Sequence, residues 1–128
     1  MDDSEQDARS TLLGLARSIA EAASSEVTGG LNRLIIAESK QFPELARHAV
    51  ELQGIAVSGI RQTLERLHAR GLLSGLKDPQ RSAQIFLEMI ASVQRRNSML
   101  GLSTPKKESD HLTEMAVDLF LHGCAHAR

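Results

Sequence analysis

Apolar residues recur every three or four positions along most of this 128-residue chain, the period of amphipathic helices rather than the alternation of strands. The first segment, from about Ser4 to Ser25, carries Ala8, Leu12, Leu15, Ala16, Ile19 and Ala23 on one stripe, with Ser4 and Asp7 in weak capping-box register. Thr28-Gly29-Gly30 is expected to break it, and a short helix follows from Leu31 to about Lys40. Phe42-Pro43 closes that helix, because the residue before a proline is pushed out of the α region, and Pro43 suits the first turn of the next. The third helix, about Glu44 to Arg70, should reach roughly 40 Å. Its seam reads Leu45, Ala49, Leu52, Ala56, Gly59, Thr63 and Leu67, flanked by Ile55, Ile60 and Leu64, and Gly71 stops it. Asp78-Pro79 is a cap and a first-turn proline, opening a fourth helix from about Pro79 to Leu100 that ends at Gly101. Beyond a polar linker, a fifth helix is expected from about Ser109 to Ala127. The expected fold class is all-α, a roughly five-helix bundle forming one domain over residues 1–128.

Helices four and five carry more apolar surface than one contact needs. A helix on one side of a globule shows an apolar stripe a little over 100° wide, roughly, whereas helix four is apolar over about 240° when residues are placed at helical intervals. Ile85, Met89, Val93 and Leu100 cover one flank, and Ala83, Phe86, Leu87, Ile90 and Ala91 the other. In helix five Leu112, Met115, Ala116, Leu119 and Phe120 form one face, which Val117, Leu121 and Cys124 widen. Each helix therefore has two partners to satisfy. A second copy of the chain is the expected outer partner, the last two helices meeting their symmetry mates in a dimeric four-helix interface. The interface residues expected from this pattern are Phe86, Met89, Ile90, Val93, Met115, Leu119 and Phe120. The alternative is that both helices sit centrally in a monomer.

Composition narrows the function. Fifteen Lys and Arg against sixteen Asp and Glu give a net charge of −1, the wrong balance for a surface that grips nucleic acid by itself. With three Phe and no Tyr or Trp, stacking platforms and aromatic cages are nearly excluded. A single cysteine excludes an internal disulfide and a cysteine-based zinc site and fits a reducing, cytoplasmic setting. No apolar run approaches the ~18–20 residues of a membrane span.

Candidate chemistry is sparse. Glu38 shares the Leu31, Leu34 and Ile35 stripe, which predicts an inward carboxylate, either in a structural contact with Arg47 or His48 or anchoring a ligand. Gln53 on the edge of helix three's apolar arc, and Gln94 and Asn97 within helix four's, are either core amides that fix register or the few polar groups of an apolar ligand cavity. His122 and His126 stand four apart, but the pair has no acidic partner motif and sits at a helix C-terminus where a cation suits the dipole, so no metal is expected. Cys124 reads as a small hydrophobe. Arg95-Arg96 and Lys106-Lys107 read as solvated pairs, and Gly54-x-x-x-Ser58 is a weak close-packing signal. No phosphate loop, triad or paired-carboxylate motif is present, and neither an enzyme nor a cofactor is expected.

The stretch Glu38-Ser39-Lys40-Gln41-Phe42-Pro43-Glu44-Leu45 resembles the junction between the second and third helices of the C-terminal regulatory domain of TetR-type (AcrR-like) transcriptional regulators. Ala69-Arg70-Gly71-Leu72-Leu73, then Asp78-Pro79 with Ala83 and Phe86-Leu87, then Phe120-Leu121-His122-Gly123, follow in that family's order and spacing, over about residues 8–125. The resemblance implies a homodimer joined through the last two helices and a small effector held among the earlier ones. The aliphatic, Met-bearing lining on offer predicts a lipophilic effector, with Glu38, Gln53, Gln94 and Asn97 as its polar contacts. The helix-turn-helix head of such repressors has no counterpart before Ser4, so DNA is expected to be reached only through a domain absent from this sequence. A dimerisation module with no small-molecule role is the alternative.

Overall fold

The computed structural model describes residues 3–124, and these fold into five helices with no strand among them. They are α1 (Asp3–Ser24), α2 (Glu26–Glu38), α3 (Pro43–Ala69), α4 (Pro79–Met99) and α5 (Lys106–Cys124). The all-α expectation is met. α4 is the centre of the bundle, touching every other helix, with α3 lying on it, α2 crossing its C-terminal end and α1 packed against both α4 and α5. The buried stripe of α1, Ala8, Leu12, Leu13, Ala16, Ala20 and Ala23, is mostly alanine, which lets the neighbouring helices approach closely. Ser4 lies inside α1 rather than ahead of it.

Three junctions follow from local chemistry. Asp78 caps α4 by accepting the Arg81 backbone N–H at 3.0 Å, ahead of Pro79 in the first turn. Gly71 and Gly101 adopt positive φ, 78° and 74°, just past the ends of α3 and α4, a conformation that a side chain would strain. Leu72 and Leu102 then donate back to the carbonyls of Leu67 and Asn97 at 3.0 and 2.8 Å, closing both ends.

The break between α1 and α2 differs from expectation. It falls at Ser25, whose hydroxyl accepts the Thr28 backbone N–H at 3.1 Å. Gly29 and Gly30 are inside α2, and Gly29 is buried against Ser98 of α4, where a β-carbon would stand 2.7 Å from the Ser98 carbonyl oxygen. The glycine is there for close approach, not to interrupt the helix. Arg33 adds to this crossing by donating to the carbonyls of Ser98 and Met99 at 2.8 and 3.3 Å, a cation at the negative end of α4.

Helix α3 packs through a face turned about 90° from the expected seam. Val57, Ile60, Leu64 and Leu67 are buried, whereas Leu52 is 48% exposed and Ile55, Ala56 and Gly59 are also open. The polar linker proves shorter than expected, since Lys106, Lys107 and Glu108 already belong to α5.

Candidate functional site

Two surfaces around α5 are the candidates. The first is an apolar groove of about 250 Å³ between α4 and α5, lined by Met89, Ile90, Val93, Leu112, Met115 and Leu119, with Gln94 and Ala116 completing its wall. It exists because both helices divide their apolar residues between two directions. Phe86, Ile90, Ala116, Val117, Phe120 and Leu121 turn inward, and Phe86 meets Phe120 edge-to-face with centroids 4.9 Å apart. Met89, Met115 and Leu119 turn outward and are 37%, 51% and 66% exposed. Of the seven expected interface residues, Phe86, Ile90 and Phe120 are thus spent in the chain's own core. Met89, Val93, Met115 and Leu119 remain on the outer face.

The second surface is a cleft of about 410 Å³ between α1 and the first two turns of α5, roofed by the linker residue Thr104. α1 contributes Arg17, Ala20, Glu21 and Ser24, and α5 contributes Lys106, Ser109, Asp110 and Thr113. Its lining residues carry both signs of charge. Lys106 pairs with Asp110 at 3.1 Å, and Arg17 leans toward Glu114 at 3.8 Å. Deeper along the same two helices Arg9 donates to Asp118 at 2.9 Å, and this hydrogen bond, then the charge behind it, holds the guanidinium above its ordinary pKa.

The four expected ligand residues do not converge. Gln94 is 1% exposed, and its Nε2 donates to Ser109 Oγ at 3.1 Å, through the wall of the cleft. Asn97 Nδ2 donates to Thr104 Oγ1 at 2.9 Å, also behind the cleft. Gln53 is exposed and reaches Glu88 across α3 and α4 at 3.5 Å, the outer limit of a hydrogen bond. Glu38, at the end of α2, is half-buried like Ile35 of the same stripe, while Leu31 and Leu34 beside it are about half exposed. Sequence reasoning missed Arg17, Thr104 and Ser109, which come from three separate elements; the signal that pointed to them was the pair of amides set in helix four's apolar arc.

Cys124 is half-buried at the end of α5, and burial pushes its thiol pKa up, away from a reactive thiolate. His122 is exposed; His126 lies outside the described residues. No described helix is long and apolar enough to cross a membrane.

A five-helix domain whose last two helices keep an apolar face outside their own core has the build of the TetR-type C-terminal domains. Comparison with known families agrees: the profile of the AefR-like transcriptional repressor C-terminal domain matches residues 10–123. The chain belongs to that family, and a regulatory role, not that of a known enzyme family, goes with the membership. No curated protein and no solved structure matches it significantly.

Proposed function

We propose that the chain is the effector-sensing and dimerisation domain of a TetR-like repressor, acting as a homodimer through α4 and α5 and responding to a small lipophilic ligand. The observation that carries this reading is the outward turn of Met89, Met115 and Leu119 along one groove. Contiguous apolar side chains rimmed by polar ones mark a contact surface in a soluble protein. Two antiparallel helices presenting them are self-complementary about a twofold axis, the arrangement a closed dimer needs. Support for a lipophilic effector comes from α2 and the first half of α3, which leave Leu31, Leu34, Leu52 and Ile55 in the open. The ligand would act through unequal affinity for two arrangements of the dimer, since equal affinity shifts nothing.

Sedimentation equilibrium of the wild-type chain, together with a thermal-shift screen against lipophilic compounds, tests both parts. A dimer with saturable stabilisation by such a compound is the expected result. A dimer that no compound stabilises favours a dimerisation module without a small-molecule role, a reading that the scattering of Glu38 and Gln53 away from Gln94 and Asn97 would then explain. A chain monomeric at every concentration overturns the interface.

A further inference from the structure

We propose that the cleft between α1 and α5 is a second ligand site, distinct from the lipophilic effector surface, and that it takes a small zwitterion of the amino-acid type. Its wall is organised from behind. Ser109 and Thr104 each accept a hydrogen bond from a side-chain amide behind them, buried Gln94 at 3.1 Å and half-buried Asn97 at 2.9 Å. A hydroxyl that accepts on its inner side keeps its own proton to donate outward. Two oriented donors on one wall, with the Arg17 guanidinium across from them on α1, suit a carboxylate.

The opposite charge is present too. Glu21 lies one turn from Arg17 along α1 on the same wall and forms no ion pair among the described residues. Lys106 and Asp110 neutralise each other at 3.1 Å, and Arg17 has a loose, solvent-exposed contact with Glu114 at 3.8 Å that a ligand carboxylate can displace, so a ligand meets Arg17 and Glu21 about 6 Å apart along the helix. A simple anion would meet Glu21 and a simple cation would meet Arg17. A molecule carrying both an ammonium and a carboxylate meets neither conflict.

Gln94 ties the wall of the cleft to the neighbouring groove. It is 1% exposed, one pole of its amide is spent on Ser109, and Oε1 has no partner among the described residues. Leaving a buried amide half satisfied costs stability. What it secures is the position of the Ser109 hydroxyl, and it does so from the floor of the α4–α5 groove. Gln94 thus lines the groove while bracing, from behind, a hydroxyl of the cleft.

The test is an amide-resolved NMR titration with glycine, L-alanine, L-glutamine and L-lysine, and with acetate and methylammonium as single-ended controls. At least one zwitterion should shift the signals of Glu21, Thr104 and Ser109 saturably, with a dissociation constant of about 1 mM or tighter, and the controls should bind at least about tenfold more weakly. Arg17→Ala and Glu21→Gln change exposed side chains, so both should keep the wild-type melting curve while each loses about tenfold in affinity. Equal response to acetate, shifts confined to other residues, or no saturation with any of the four overturns the proposal. Because the titration reads the cleft directly, it decides this site whether or not the chain dimerises.

Discussion

A methyl group at position 29 would press on the Ser98 hydroxyl and stand 2.7 Å from the Ser98 carbonyl oxygen. The obstacle is partly backbone, so α2 must shift away from α4 to admit it. Gly29→Ala is expected to cost about 1–3 kcal/mol in urea denaturation, against a gain of about 0.4–1 kcal/mol for Gly14→Ala on an open face of α1. An equal effect at the two sites would remove the close-approach account of Gly29. The sequence alone offered two adjacent glycines after a threonine, and a helix breaker and a packing notch look identical in one dimension. Asp78 gives the pH counterpart. The Arg81 backbone N–H, then the Arg81 side chain, lowers its carboxyl pKa below the ordinary value. A depressed folded pKa means stability that is complete above the unfolded carboxylate's ~3.9 and is lost as pH falls through the folded value. Stability should therefore drop on acidification below that point by less in Asp78→Asn than in wild type, as read by denaturation midpoints between pH 5 and 2, approximately the range over which such groups titrate.

At the scale of the element, α3 shows where pattern reading reaches its limit. The expected seam joined Leu45, Leu52 and Leu67 through Ala56 and Gly59, small residues that fit an apolar stripe yet equally fit a surface. Packing instead uses Val57, Ile60, Leu64 and Leu67, two of which had been placed on the flank. The offset arises because α3 has apolar residues on both sides of that stripe, and only the position of α4 chooses between them. Leu64→Ala should cost about 2–5 kcal/mol as a core truncation, while Leu52→Ala should stay within about 0.5 kcal/mol as a surface change. A reversal of these two values would restore the original seam. Helix ends were easier to read. Pro43, Gly71, Asp78-Pro79 and Gly101 each enforce a backbone conformation by themselves, so their positions survive whatever the tertiary contacts decide. The candidate site was harder, since the cleft joins residues from α1, a linker and α5 that no local period connects.

For the whole molecule the decisive quantity is the fate of the outer α4–α5 face. Apolar excess on both helices was legible without any structure, but which side of each helix faced inward depended on α1 settling between them. The structure makes the consequence of a charge there specific. Met89 and Leu119 are already 37% and 66% exposed within one chain, so a glutamate at either position is solvated in the monomer and has no reason to unfold it. In a dimer the same carboxylate is driven into a dry contact without a partner, where a buried unpaired charge is strongly unfavourable. Met89→Glu and Leu119→Glu should therefore weaken self-association by about 30-fold or more while leaving the helical signal of each chain intact. Melting temperature sharpens the comparison. A dimer that unfolds to separated chains melts higher as its concentration rises, and that dependence should be present in wild type and gone from both variants. If the variants instead melt with the same concentration dependence as wild type, the chains associate through another surface, and the exposed leucines of α2 and α3 become the place to look.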